Sequence, residues 1–189
     1  MKKVVAVKER TGGSLVSIKL DDKSAYTLRA STVSSLGIFA GGEVCDDTLS
    51  FVEKEDENIR AYNKALLILS YSDNSSRELY KKLLSKGFSS DAAELAVKKV
   101  KDAGYINEAR QLEGYILKYG EQKLWGRYRI EAKLLSMGYG RADIEKAFEA
   151  LYLRNELDFD KTKQLLIEKF KPESSFEKQK LLYKYGYKK

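Results

Sequence analysis

The chain has 189 residues and a net charge of +7, and it contains no histidine and one cysteine, Cys45. The missing histidine removes the commonest general acid–base group and metal ligand, and one cysteine excludes an intramolecular disulfide and a cysteine–histidine zinc site. We therefore expect a cytoplasmic, non-enzymatic protein without cofactor or metal. No apolar run approaches the roughly 20 residues of a membrane span, so no membrane association is expected.

Residues 1–57 are predicted to form a small β-rich element. Apolar and polar residues alternate over 16–20 and 26–29, as in half-buried strands, and residues 4–7 form a further short apolar run. Gly12-Gly13 and Asp21-Asp22 supply turns between these strands. A short helical turn is expected at 31–36, and the acidic stretch 53–57 is expected to mark the join to a helical region that begins near Ile59.

The helical region contains an internal repeat. The segment KLLSKGF at residues 82–88 recurs 51 residues later as KLLSMGY, and a third, shorter copy runs from Ser174 to Gly186-Tyr187. The first helices of the three copies are predicted at 59–71, 107–120 and 158–171, and the last helices of the first two at 91–103 and 141–153. The resulting units are repeat one (58–106), repeat two (107–155) and a partial repeat three of two helices (156–189).

Start and stop signals support these helices. Ser75 and Ser174 each open a Ser-x-x-Glu pattern, which is typical of a capping box. Gly87, Gly138 and Gly186 stand where a left-handed residue ends the second helix of each copy. A trihelical unit of about 50 residues cannot bury its apolar face alone, so neighbouring copies should stack. The predicted fold is mainly α, with tandem three-helix repeats forming an elongated curved array preceded by the small N-terminal β element.

The order and spacing of these motifs resemble the RecX family of recombination regulators. The matching pieces are an Ala-Leu-rich helix at 65–70, a Ser-x-x-Glu-Leu start at 75–79, the 82–88 segment, and Gly-Tyr-Ile-Asn at 104–107. In repeat two the family's Gly-x-x-Arg-Ile appears as Gly126-Arg127-Tyr128-Arg129-Ile130. The chain departs from the family at 72–74, where Ser-Asp-Asn replaces the usual arginines.

The resemblance implies a regulator of homologous recombination and DNA repair, including the SOS response. By this resemblance the protein acts as a monomer in the helical groove of the RecA filament on single-stranded DNA. There it restrains strand exchange and ATP hydrolysis and loosens the filament, and its binding to single-stranded DNA alone is weak.

Basic residues cluster in repeat two, and positive charge increases along the chain. Residues 1–60 carry a net charge of −1, residues 61–110 +3 and residues 111–189 +5. This distribution favours a polyanionic partner. The candidate contacts to nucleic acid or filament are Lys118, Lys123, Arg127, Arg129, Lys133 and Arg141. Tyr119, Trp125 and Tyr128 lie close to this cluster, where stacking on bases and packing between helices are both open, with packing favoured for Trp125.

Two other functions fit the residues. A sequence-tolerant nucleic-acid binder with helix-turn-helix-like units is one, although Glu145 and Glu149 on the third helix of repeat two would repel phosphate. A helical-repeat adaptor that binds a partner's helix or tail is the other. An enzyme is the least favoured reading.

X-ray scattering tests the elongated array. A compact chain of this length should have a radius of gyration near about 16 Å, whereas repeats stacked along one axis should give a larger value. A measured value at the compact limit would contradict the elongated arrangement.

Overall fold

The computed structural model describes residues 1–10 and 12–187. The strands are β1 (Lys2–Glu9), β2 (Leu15–Leu20), β3 (Ala25–Arg29) and β4 (Glu43–Val44). The helices are α1 (Ala30–Ser35), α2 (Asp46–Tyr71), α3 (Ser76–Ser85), α4 (Ser90–Asp102), α5 (Glu108–Leu117), α6 (Arg127–Ser136), α7 (Arg141–Leu153), α8 (Phe159–Phe170) and α9 (Ser175–Tyr185). A π-helical turn, Lys118–Gln122, follows α5 directly. The predicted fold class, mainly α with a small N-terminal β element, is confirmed.

The strands form one antiparallel sheet in the order β3-β2-β1-β4. β2 pairs with β3 in a register that places Val16 opposite Leu28, and β1 pairs with β2 through Val7 and Ile18. The three predicted strands are confirmed. β4 could not be predicted from the sequence, because a two-residue strand that pairs with the start of β1 has no periodicity.

The long helix α2 completes the core of the sheet. It begins at Asp46, so the expected start near Ile59 is wrong, and the acidic stretch 53–57 lies within the helix instead of at a join. Leu49 and Val52, three residues apart on one face, are buried against the sheet. The buried Asp56 carboxylate accepts a hydrogen bond from the Thr27 amide at 2.6 Å, which ties α2 to β3.

The chain divides into two compact units. The first comprises residues 1–71 and 80–102, and the second comprises residues 72–79 and the chain from Ala103 onward. In the first unit α4 packs along α2, and the buried side chains at this contact are small. They are Ala61, Ala65, Ala92, Ala93, Ala96 and Val100.

The second unit has its core between α5, α6 and α7. Four residues of α7 form an apolar stripe that is buried together with the apolar faces of α5 and α6. These core residues are Leu112, Ile116, Ile130, Leu134, Ile144, Ala147, Phe148 and Leu151. α8 adds the fully buried Leu166, whereas α9 buries none of its own residues.

The predicted helix signals operate as expected. Ser75 Oγ accepts a hydrogen bond from the Glu78 amide at 3.2 Å, and Ser174 Oγ accepts one from the Glu177 amide at 3.1 Å. Gly186 ends α9 in the left-handed conformation, with φ of 85°. None of the helices in residues 1–10 and 12–187 is long and apolar enough to cross a bilayer.

Candidate functional site

The six predicted contact residues fall into two groups. The side chains of Lys118, Lys123, Lys133 and Arg141 are exposed, whereas those of Arg127 and Arg129 are half-buried. All six belong to the second unit. Arg127 and Arg129, which belong to the motif at residues 126–130, are therefore less accessible to solvent than the four other cations.

Arg127 is engaged inside repeat two. Its guanidinium donates to both carboxylate oxygens of Glu145 on α7 and lies 4.9 Å from the centre of the Phe148 ring. The hydrogen bond to Glu145 raises the pKa of Arg127 above its ordinary value, and burial acts in the opposite direction. Arg127 thus connects the start of α6 to α7, and its charge is largely compensated within the molecule.

Arg129 is engaged between repeat two and repeat three. Its guanidinium donates to the Lys184 carbonyl oxygen at 2.9 Å, near the end of α9. The same group lies 4.3 Å from the centre of the Trp125 ring and 5.5 Å from that of Tyr185. Arg127 and Arg129 are therefore both half-buried and bonded within the second unit, unlike the four exposed cations.

Aromatic rings extend this contact into a continuous stack. Trp125 lies parallel to Tyr119 with ring centres 4.9 Å apart, and Tyr119 stacks on Tyr115 at 6.0 Å. With Arg129 on the other face of Trp125, the stack runs from α5 through the π-helical turn to the end of α9. Trp125 and Tyr119 therefore pack against other rings inside the second unit. For Trp125 this agrees with the sequence analysis above, in which packing between helices was favoured over stacking on bases.

The backbone at this position joins two helix ends. The Gly126 amide donates to the Tyr185 carbonyl oxygen at 2.8 Å, and the Tyr128 amide donates to that of Gly186 at 3.2 Å. The first amides of a helix and its last carbonyls lack partners within the helix. Here the amides at the start of α6 donate to the carbonyls at the end of α9, so each helix end supplies partners for the other. The positive end of the α6 dipole thus lies at the negative end of the α9 dipole.

Glycine is required on both sides of this joint. A Cβ atom on Gly126 would lie 2.5 Å from the Gly186 carbonyl oxygen, closer than real contacts allow. A Cβ atom on Gly186 would collide with Arg129, and its φ of 85° already disfavours any other residue. We call this arrangement the repeat joint, defined by Gly126, Arg129, Tyr185 and Gly186.

A related joint connects α6 with the start of α3. Ser75, which is Gly126's counterpart in repeat one, donates from its hydroxyl to the Met137 carbonyl oxygen at 2.8 Å. Gly138, the counterpart of Gly186, has φ of 88°, and a Cβ atom there would lie 3.1 Å from Ser75 Oγ. The same docking of helix end on helix start therefore occurs twice in the second unit.

The other four predicted contact residues are exposed cations. Lys118 lines an open cleft of about 560 Å³ along α5, together with Arg110 and the exposed ring of Tyr105. Lys123 and Lys133 make no ion pair among the described residues. Arg141 approaches Glu131 at 3.5 Å, but its side chain is 76% exposed. An exposed pair of this kind contributes little, so Arg141 can exchange Glu131 for another anion.

A further surface, on α9, was not among the predicted site residues. Phe176, Lys180 and Tyr183 stand at positions i, i+4 and i+7 of this helix, hence on one face. The rings of Phe176 and Tyr183 are 74% and 79% exposed. We call these three residues the α9 stripe. Its signal in the sequence is weak, because an aromatic side chain at helical spacing usually indicates core.

Two phenol groups of the second unit, those of Tyr139 and Tyr187, are partly removed from solvent. Burial raises the pKa of Tyr139 well above its usual range, and burial also raises that of Tyr187. Tyr139 accordingly donates its hydroxyl to Gln111 Oε1 at 2.8 Å, and Tyr187 donates to the Leu124 carbonyl oxygen at 3.3 Å. Among the described residues there is no group of three or more side chains suited to metal binding.

The mainly helical fold and the two joints define a helical-repeat protein with exposed cations among residues 118–141. Residues 61–99 match a family model described as RecX, first three-helix domain. This segment contains the end of α2, all of α3 and most of α4. Over these residues the chain is similar to the RecX family.

Two solved structures share the fold. One is a crystal structure of regulatory protein RecX, which is 20% identical in sequence and gives a TM-score of 0.73. The alignment covers 100% of this chain and 95% of the chain in that structure. The other is a crystal structure of RecX from Lactobacillus salivarius, which is 24% identical in sequence and gives a TM-score of 0.57. This alignment covers 70% of this chain and 90% of the chain in that structure. A comparison with curated proteins finds no match.

Substitution of Gly186 tests the repeat joint. We expect Gly186→Ala to release α9, because the new methyl group would displace Arg129 and the left-handed backbone would cost about 1–2 kcal/mol. Trp125 is the only tryptophan, so its fluorescence reports the change directly. The emission of Trp125 should shift to longer wavelength as Arg129 and Tyr185 move away.

Gly87→Ala is the matched control. Gly87 has nearly the same φ, 86°, but a Cβ atom there meets nothing within 4 Å. The control should show the backbone cost alone and leave the emission of Trp125 unchanged. Equal emission spectra for the two variants would show that Gly186 has no special role in the joint.

Proposed function

We propose that this protein is a non-enzymatic regulator that binds the RecA-type recombinase filament on single-stranded DNA and restrains its ATP hydrolysis and strand exchange. The match of residues 61–99 to a RecX domain supports the recombinase as partner, as the motif order over residues 59–155 implies. The observation that carries the proposal is the group of exposed cations in repeat two that make no ion pair among the described residues, namely Lys118, Lys123 and Lys133.

The proposal assigns different tasks to the predicted basic residues. Lys118, Lys123, Lys133 and Arg141 contact phosphate or acidic side chains of the filament, because their charges reach solvent. Arg127 and Arg129 act as positioning residues, since their guanidinium groups already bind Glu145 and the Lys184 carbonyl. The repeat joint then sets the spacing of the contacting cations along the filament.

A second candidate function is direct binding of single-stranded DNA without a recombinase. The α9 stripe favours it, because two exposed rings with a lysine between them suit stacking on unpaired bases beside a phosphate. A helix-turn-helix mode receives less support. On α7 the Glu145 carboxylate is bound to Arg127, and the Glu149 side chain is exposed on the same helix.

The triple variant Lys118→Gln, Lys123→Gln, Lys133→Gln tests the regulator. If each lysine meets DNA phosphate, affinity for the filament should fall, and the slope of log affinity against log salt should flatten by about 2 in total. If the lysines meet carboxylates of the recombinase, affinity should fall with a smaller change in slope. Inhibition of ATP hydrolysis should weaken in parallel, measured over a range of salt concentrations.

A charge-matched control is Lys8→Gln, Lys19→Gln, Lys23→Gln, which removes two exposed lysines from β1 and β2 and one from the turn before β3. It should bind and inhibit like the parent. If both triple variants lose affinity equally, only net charge matters, and the assigned contacts are wrong. Unchanged binding of single-stranded DNA alone by a Tyr183→Ala, Phe176→Ala variant would remove the support for the second candidate.

A further inference from the structure

A groove between α8 and α9 contains none of the cations that the proposed function assigns to the filament. It has a volume of about 310 Å³, and all of its lining residues belong to the second unit. α8 contributes Lys163, and α9 with the segment after it contributes Lys178, Leu182, Tyr183 and Tyr187. We call it the α8–α9 groove.

The α9 wall of this groove corresponds to the face of α6 that packs on α7 in repeat two. When the glycines that end α6 and α9 are aligned, Lys178 corresponds to Ile130 and Leu182 corresponds to Leu134. Ile130 and Leu134 are fully buried in the core that α6 shares with α7. The same two positions on α9 line an open groove.

Charged contacts in repeat two identify the same face. Arg127 and Glu131 of α6 each approach a side chain of α7 with the opposite charge. Their counterparts on α9 are Ser175 and Gln179, which also line the groove. Four positions of the groove therefore contact an α-helix in the neighbouring repeat, so the groove has the position of a helix-binding site.

Two lysines replace apolar residues at this site. Counted from the N-caps of α5 and α8, the half-buried Lys163 corresponds to the buried Leu112, and Lys178 replaces Ile130. Neither lysine forms an ion pair within residues 1–10 and 12–187, and no carboxylate of that part of the chain lines the groove. Burying a charge costs free energy unless it is paired, so the occupant is expected to supply carboxylates.

The rest of the groove is suited to apolar side chains. Leu182 is half-buried, Tyr183 is 79% exposed, and Tyr187 is buried at the base. A single nucleic-acid strand would use the lysines and the ring of Tyr183. A helix with acidic and apolar residues on one face would use all of these features, and repeat two already places a helix on the equivalent face.

We propose that the α8–α9 groove binds an acidic amphipathic helix of a partner protein, in the place that α7 occupies in repeat two. Carboxylates on the inner face of that helix pair with Lys163 and Lys178, and its apolar side chains pack on Leu182 and Tyr183. This inference goes beyond the proposed function, because it does not require the partner to be the recombinase.

Peptides with the sequence of α7, residues 141–153, provide a probe, since α7 occupies the equivalent site of repeat two. They need a helix-stabilising crosslink, because isolated helices of this length are marginal in water. The acidic peptide carries Ile144→Glu and Ala147→Glu on the buried face of α7 and keeps Phe148 and Leu151. It should bind the full-length protein at least about tenfold more tightly than the unmodified peptide, measured by fluorescence anisotropy.

NMR locates the bound peptide. The backbone amide signals of Lys178 and Leu182 should shift with the acidic peptide and saturate at the affinity found by anisotropy. A peptide with lysine in place of both glutamates should leave these signals unchanged. Equal binding of the acidic, basic and unmodified peptides would overturn the proposal.

The variant Lys163→Leu, Lys178→Ile restores the residues of repeat two and should reverse the preference. Its affinity for the acidic peptide should fall about tenfold or more, and the unmodified peptide should become the tighter ligand. Lys163→Gln, Lys178→Gln should lose the acidic peptide without gaining the other.

Lys161→Leu, Lys180→Ile is the matched control, because these lysines are exposed on the same two helices and do not line the groove. It should keep the preference of the parent. Equal loss of the acidic peptide in the two variants would show that only net charge matters, and would overturn the proposal.

Other occupants of the groove give different results. A short oligothymidylate that shifts Lys178 and Leu182 more strongly than the acidic peptide would overturn the proposal in favour of nucleic acid. A dimer in sedimentation that Lys163→Gln, Lys178→Gln abolishes would overturn it in favour of a second copy of this chain. Failure of the acidic peptide to bind, with inhibition of the filament intact, would contradict this inference and leave the proposed function standing.

Discussion

The structure of the second unit depends on one contact, the docking of a helix end on the start of a helix in the neighbouring repeat. Each helix terminus leaves backbone groups without partners, and the repeat joint lets α6 and α9 satisfy one another. This matters most for α9, which buries none of its own side chains. Its position is therefore fixed by backbone hydrogen bonds, Arg129 and Tyr185, and only slightly by an apolar core.

The residues of the motif at 126–130, which resembles a motif of the RecX family, make structural contacts within the second unit. Gly126 allows the backbones to meet, Arg127 binds Glu145, Arg129 binds the end of α9, and Ile130 is buried. A motif that resembles a binding sequence thus builds the framework of the repeats. The charges left for a partner are those of neighbouring side chains that the framework presents without using them.

Periodic features of the fold could be predicted from the sequence, whereas features that depend on partners distant in sequence could not. The apolar stripe of α7 and the glycine at each helix end follow from local spacing, and both agree with the structure. The start of α2 was misplaced, since its first turns look acidic and reveal their buried face only against the sheet. The hydrogen bond of Arg129 to the Lys184 carbonyl oxygen could not be predicted, because the two residues are 55 positions apart in the chain.

Amide hydrogen exchange at Gly126 and Tyr128 tests the repeat joint most directly. These two amides precede or begin α6 and have acceptors only on the far side of the joint, at Tyr185 and Gly186. The account predicts that they exchange as slowly as amides within α6, while Ala142 in the first turn of α7, which has no side-chain cap, exchanges fast. Exchange of Gly126 and Tyr128 as fast as that of Ala142 would contradict it.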